Sequence, residues 1–143
     1  MHYGIRMASA CDYDMLVAVW ERSVLATHHF LAQEDFYAIK RLLPTLYLPS
    51  VNIYVVTVDG KIVGFIGLSI PNIEMLFVDD GYQGCGLGSA LLNLALEHGA
   101  TSVDVNEQNQ SALQFYLSKG FRVVGRDDTD GDGRPYPILH LSR

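Results

Sequence analysis

Cysteine is nearly missing from this chain: Cys11 and Cys85 are the only two among 143 residues. Two cysteines cannot make a disulfide framework or a four-ligand zinc site. Long apolar runs are missing as well. The longest, Ile62 to Ile70 (IVGFIGLSI), falls far short of the roughly 20 residues a membrane-spanning helix needs. The opening MHYGIRMASACDYD has neither an apolar core segment nor a small-residue cleavage site, so no secretory signal is expected and the expected compartment is the cytoplasm. Basic charge is scarce. Ten Lys and Arg against 16 Asp and Glu give a net charge of −6 and a pI near 5.2, which argues against general nucleic-acid binding. No internal repeat or low-complexity stretch occurs.

What is present suits a packed domain. Hydrophobic residues make up 49% of the chain and mean hydropathy is +0.15, so disorder is excluded. The length favours one domain over residues 1–143, and chains of this size bury roughly 70% of their unfolded surface.

Period and punctuation give the elements. His2 to Met7 is a short strand candidate. Ser9-Ala-Cys-Asp12 resembles a capping box with Asp in place of Glu, opening a helix. Leu16, Val19, Trp20 and Val24 then fall on one apolar face. A second helix is expected over Gln33 to Leu43, stopped by Pro44. Val51 to Val58 and Lys61 to Ile70 are β-branched and aromatic, and Asp59-Gly60 between them is a two-residue hairpin signal. Ile73 to Val78 follows as the third strand of a meander. Leu87 to His98 is apolar nearly all round, hence a buried helix, and Ser102 to Val105 is a strand. Strand, helix, strand in so short a span is a βαβ unit with parallel strands. Gln108 to Lys119 is a helix ended by Gly120. Phe121 to Gly125 and Tyr136 to Leu141 form a final hairpin. The expected fold class is α+β: a mixed, mostly antiparallel sheet with one parallel pair and helices on both faces.

The most informative stretch is Asp79 to Ser89, DDGYQGCGLGS. Three glycines at alternate positions, Gly84, Gly86 and Gly88, stand between a strand and a buried helix. Glycine there permits unusual φ and lets a ligand approach the backbone. Freed N–H groups at a helix start make an anion site suited to phosphate or pyrophosphate. A ligand-free tight turn is the plainer alternative. The P-loop pattern fails for want of Gly-Lys-Ser/Thr. The dinucleotide fingerprint is only approached, with Ser89 where its last glycine would stand.

Gln83-x-x-Gly86-x-Gly88 resembles the Q/R-x-x-G-x-G/A motif of the GNAT superfamily of acyl-CoA N-acyltransferases. Asn106 to Phe121 (NEQNQSALQFYLSKGF) is similar to the family's N-x-x-A-x-x-F/Y-Y-x-x-x-G-F region. One bacterial branch of the family is resembled further through Arg22-Ser23-Val24, Ala26-Thr27-His28, Val105 to Asn109 and Pro135-Tyr136-Pro137. The element order fits the fold of this family over the whole of residues 1–143.

The resemblance implies roles. Backbone N–H groups of Gln83, Gly84, Cys85, Gly86, Leu87, Gly88 and Ser89 would hold the CoA pyrophosphate, aided by the helix dipole. The strand ending at Val78 would pair with the pantetheine arm, and the N–H of Leu76 would point at the thioester oxygen, where a donor stabilises the oxyanion. Tyr116 matches the tyrosine that donates to the departing CoA sulfur, and Asn109 would contact the cofactor. By residue type Tyr116 also suits a core aromatic and Asn109 a helix N-cap. Glu74 lies two and four residues before Leu76 and Val78, so alternation places the three on one face. A carboxylate there can take the acceptor amine's proton, directly or through water. An ordinary solvated edge carboxylate fits the position equally.

Other clusters carry less. Asp128-x-Asp130-x-Asp132-Gly133 imitates the start of a calcium loop, but Leu139 stands where its Glu should, and a polar hairpin tip is expected. His28-His29 has no second cluster at metal spacing and is expected to line the acceptor pocket or cap the first helix. Cys85 is explained by the loop's need for small residues. For Tyr54, Tyr82 and Tyr136, sheet packing is favoured over a place on the acceptor side.

The expected activity is transfer of the acetyl group of acetyl-CoA to a primary amine (a protein lysine, a polyamine or another small amine) in a ternary complex, with no metal. A non-catalytic acyl-CoA sensor and an interaction scaffold are the rivals. Monomer and homodimer stay open. Glu21, Glu34, Asp35 and Asp127 to Asp132 suit a cationic acceptor, as they do a solvated surface.

Overall fold

The computed structural model describes residues 2–143. Seven strands form one sheet: β1 (Tyr3–Met7), β2 (Asn52–Val58), β3 (Lys61–Ser69), β4 (Asn72–Val78), β5 (Ser102–Asn106), β6 (Arg122–Asp127) and β7 (Ile138–Ser142). Their order across the sheet is β1-β2-β3-β4-β5-β7-β6. β4 and β5 make the parallel pair, and the other neighbours run antiparallel. The final hairpin forms as expected, but β7 inserts between β5 and β6.

Helices α1 (Tyr13–Thr27) and α2 (Gln33–Leu42) cover one face, and α3 (Leu87–Glu97) and α4 (Gln110–Ser118) the other. Under the first pair, Leu16, Val19, Trp20 and Val24 of α1 are buried with Val55 and Phe65 of the sheet, and Trp20 stacks on Phe36 of α2 at 5.1 Å between centroids. Under the second, Leu87, Leu91, Leu92 and Ala95 of α3 pack on Val56, Ile66 and Val103. The sheet thus separates two apolar clusters, and β3 and β4 contribute to both.

Local chemistry explains most boundaries. The Asp12 carboxylate accepts the Ser9 N–H at 2.9 Å, which is the return arm of the capping box. One 3₁₀ turn, Ala10–Asp12, precedes α1 proper. Asp59 and Gly60 both take positive φ, 52° and 80°, as a type I′ turn demands. Pro44 does not stop the winding as the sequence led one to expect. The chain continues through a wide turn, Leu43–Tyr47, because Pro44 occupies the start of that turn, where a missing N–H costs nothing. Nor is α3 apolar all round: Asn93 and Glu97 lie exposed on its outer side.

Candidate active site

β4 stays beside β5 for only two registered pairs, Asn72 with Ser102 and Ile73 with Val103. Beyond Ile73 the strands part and leave an open cleft. Asp79 donates its N–H to Val63 of β3 at 2.7 Å. By alternation, the amides of Val78 and Leu76 therefore point to the other edge, into the cleft. The Val78 carbonyl is already engaged there, accepting the Gln83 side-chain amide at 2.8 Å. Gln83 thus ties the glycine loop to the strand end.

Pairing of β3 with β4 shifts between Gly67 and Leu68: Gly67 opposes Met75 and Leu68 opposes Ile73, leaving Glu74 without a partner residue. This bulge corrects the simple alternation expected for Glu74, Leu76 and Val78. Ile73, Leu76 and Val78 face the cluster under α3 and α4, Met75 and Phe77 face the other, and the exposed Glu74 sits at the kink between them. A bulge re-aims a side chain in this way by adding one residue to one strand.

The glycine loop closes one end of the cleft. Gly84 and Gly86 have φ of 75° and 81°, a conformation that costs an L-residue with a Cβ about 1–2 kcal/mol. No side chain caps α3, whose first closed amide is Ala90, bonded to the Gly86 carbonyl at 3.0 Å. The amides of Leu87, Gly88 and Ser89 are left for an anion. A cavity of about 340 Å³ runs from this loop along β4 to α4. Leu76, Val78, Gln83, Gly84, Gly86, Leu87, Gly88, Ser89, Asn109 and Tyr116 all border it. Cys85 does not: its side chain is exposed and turned to the Gln83 carbonyl at 3.8 Å. Tyr82 borders the same cavity, Tyr54 packs on His98 at the end of α3, and Tyr136 joins the β6–β7 loop to α2 by accepting the Ala32 N–H at 3.0 Å and donating to Asp35.

A second cavity, about 120 Å³, lies between β4 and β5 and is bordered by Glu74 and Asp104. Six residues border both cavities: His28, Leu76, Phe77, Asn109, Ala112 and Tyr116. Of these, His28 and Tyr116 alone titrate. Tyr116 is 5% exposed, and its ring packs edge-on against Phe115 and Phe121. Burial raises the phenol above its ordinary value, so it stays protonated. No side-chain hydrogen bond engages its hydroxyl among the described residues, and the hydroxyl is not sealed from the cavity.

Asn109 caps α4, its Oδ1 accepting the Ala112 N–H at 3.2 Å, while its Nδ2 faces His28 Nε2 at 3.3 Å. The Thr27 hydroxyl donates to the Ser23 carbonyl at 2.8 Å. Its one proton being used, it accepts from His28 Nδ1, 2.7 Å away. Burial, with a smaller contribution from His29, lowers the His28 imidazole to about 4, so it is neutral at pH 7. The sequence offered His28 two places, the acceptor pocket and the end of the first helix, and the structure puts it at the C-terminal cap of α1 on the border of both cavities; its contact with Asn109 was not foreseen.

An ion pair holds the frame. Arg22 of α1 forks onto Asp79, 2.9 Å from Nε and 2.7 Å from Nη2 to Oδ2. Asp79 is 5% exposed at the end of β4, and the guanidinium holds its carboxyl below the ordinary range. The Asp128–Gly133 loop is a polar tip, with Asp130 Oδ1 accepting the N–H of Asp132 at 3.0 Å and of Arg134 at 2.8 Å. Arg134 reaches Asp35 of α2 at 3.4 Å.

Residues 49–123, which contain the meander, the glycine loop and Tyr116, match the Acetyltransferase (GNAT) domain family. The chain belongs to the GNAT acetyltransferase family. Similar over its whole length is the peptidyl-lysine N-acetyltransferase YjaB of Escherichia coli (strain K12), 39% identical across 99% of this chain and 97% of that protein. The solution structure of apo-form YjaB from Escherichia coli superposes with a TM-score of 0.92 at 38% identity, covering 99% of this chain and 97% of that one. PaiA N-acetyltransferase from Thermoplasma acidophilum, crystallised in complex with coenzyme A, shares the fold at a TM-score of 0.75 and 21% identity over the full length of both chains. This GNAT acetyltransferase therefore has its glycine loop, β4 edge and buried tyrosine around one cavity, while Glu74 stands at a kink rather than on a regular strand.

Proposed function

We propose that this GNAT acetyltransferase moves the acetyl group of acetyl-CoA to the ε-amine of a protein lysine, by direct attack in a ternary complex. The observation that carries the reading is the parted β4–β5 edge, where the larger cavity meets the smaller beside the Leu76 amide and the Tyr116 hydroxyl. The larger cavity takes the cofactor. Its pyrophosphate lies on the amides between Gln83 and Ser89, with Asn109 bordering the chain of the pantetheine arm. The acceptor enters from the smaller cavity, and YjaB, named a peptidyl-lysine N-acetyltransferase, supports lysine as its class. The whole of residues 1–143 serves as one acetyltransferase domain.

Each group then has a task. The amine attacks the thioester carbon, and the oxyanion that forms accepts the Leu76 N–H, an interaction worth about 3–4 kcal/mol in other acyl transfers. Glu74, at the outer end of the acceptor cavity, draws the amine's proton away through water. The C–S bond breaks and the thiolate accepts a hydrogen bond from Tyr116. Because burial raises the phenol, it stabilises the thiolate as a donor and keeps its proton, rather than matching the thiol closely enough to surrender it.

Calorimetric titration of acetyl-CoA and CoA into wild type and Gly86→Glu tests the cofactor site. Micromolar binding lost in the variant is expected, since the new carboxylate opposes an anion and its Cβ strains a positive φ. Release of CoA thiol with a lysine peptide tests the transfer. Folded wild type that binds neither nucleotide overturns the reading.

A further inference from the structure

The smaller cavity leaves one gap in this chemistry: Glu74 borders it only on the acceptor side, whereas the attacked carbon must lie where the two cavities meet. Two side chains there can exchange protons, and Tyr116 has been placed on the sulfur. His28 is the other. It reaches the junction because α1 ends at Thr27 and the chain turns inward, with the His28 N–H still bonded to the Val24 carbonyl at 2.7 Å.

Its orientation is built rather than accidental. The Ser23 carbonyl holds the Thr27 proton, so Thr27 can only accept from His28, and Nδ1 carries the imidazole proton. Nε2 is then a lone pair. The protein group facing it is the Asn109 amide at a long 3.3 Å, and Asn109 is itself fixed by its bond to Ala112. The Phe30 ring lies 5.2 Å from the imidazole and itself packs on Tyr136 at 6.1 Å, so one aromatic ring rests against His28. An unprotonated Nε2, aimed into a cleft and contacted by one weak donor, is an acceptor held ready for a better donor.

Building on the transferase reading above, we propose that His28 is a catalytic residue of this enzyme: its Nε2 accepts an N–H of the attacking amine, fixing the nitrogen lone pair on the thioester carbon, and takes the proton as the N–C bond forms. The balance closes without a further reactant. The ammonium's first proton has left through water past Glu74; the neutral amine nitrogen then loses its second to Nε2, the C–S bonding pair leaves with sulfur, and the thiolate is held by the Tyr116 hydroxyl until solvent protonates it. The imidazolium gives its proton to water in the smaller cavity and returns to the neutral form. Thr27 acts through His28 and is a positioning residue, since its hydroxyl selects the tautomer.

The test compares wild type, His28→Ala, His28→Gln and Thr27→Val for CoA affinity by calorimetry and for turnover of a lysine peptide and of spermidine. His28→Ala is expected to bind CoA within about threefold of wild type and to lose about 10²-fold in kcat, the usual contribution of a placed proton acceptor. Gln accepts an N–H but cannot take the proton, so His28→Gln should be as slow in kcat while recovering part of the amine KM. Thr27→Val, which keeps the β-branched shape, should cost about tenfold in kcat, and ¹⁵N NMR of its His28 should show the Nε2–H tautomer gaining population. Folded His28 variants that keep wild-type kcat, or that lose CoA affinity with no further effect on turnover, overturn the proposal. If His28→Ala fails to fold, Thr27→Val at wild-type kcat with a shifted tautomer overturns it alone. Wild type that turns over neither amine overturns the transferase reading itself, an outcome distinct from one in which wild type and the variants turn over alike.

Discussion

Replacing Tyr116 by Phe keeps the ring between Phe115 and Phe121 and removes only the hydroxyl. Because that hydroxyl has no side-chain partner among the described residues, no buried group is orphaned and stability should change by less than about 1 kcal/mol. Turnover should fall about 10²-fold with CoA affinity unchanged, as steady-state kinetics beside calorimetry will show. Asn109 illustrates the reverse. Its Oδ1 caps α4, the helix role open in the sequence, while its Nδ2 meets His28. Asn109→Ala should therefore cost about 1 kcal/mol of stability, read from urea unfolding, in addition to any effect on the cofactor.

Elements are joined by a few polar contacts whose cost depends on exposure. Arg22 ties α1 to the end of β4, but its side chain is 44% exposed while that of Asp79 is 8% exposed. Arg22→Met leaves a buried carboxylate at the head of the glycine loop. The expected loss is about 2 kcal/mol in urea unfolding, below that of a fully buried pair because water reaches the guanidinium side. On the far half of the sheet, His140 of β7 is clasped between Asp104 of β5 at 2.6 Å and Asp127 of β6 at 2.7 Å. Both carboxylates raise its pKa, Asp104 the more. A group raised on folding stabilises fully below its unfolded value of about 6.5, and that contribution disappears as pH climbs through the folded value. The stability gap between wild type and His140→Gln should thus be widest near pH 5 and shrink towards alkaline pH, measured as urea midpoints across the range.

The molecule is a sheet with two cores and a parted seam, and the seam collects α1, β4, the glycine loop, α3 and α4 around the larger cavity. A ligand filling that cavity binds the folded chain alone, because no two of those elements stay in place once the sheet is lost. CoA at one hundred times its Kd should therefore add about 2.7 kcal/mol of stability and raise Tm by roughly 5–10 °C in a calorimetric scan. Gly86→Glu should show no such rise. Either core can be weakened by itself: Leu91, fully buried under α3, should cost about 2–5 kcal/mol when cut to Ala.

Features that depend on a few neighbouring residues were legible in advance. The Asp59-Gly60 turn, the apolar face of α1, the glycine loop before α3 and the Tyr116 helix follow from φ preference, period and motif, which act over one or two turns of chain. Features that arise from strands meeting far along the chain were not. The insertion of β7 between β5 and β6 and the bulge at Glu74 depend on which of several pairings buries the most apolar surface. Pro44 belongs with them, since packing of Leu43 and Leu48 into the core keeps the chain winding past it. His28 is the clearest case: its partner Asn109 lies 81 residues away. Spacing could identify the histidine and the cap separately, but only the closure of α1 over the seam brought Nε2 to the place where an amine would arrive.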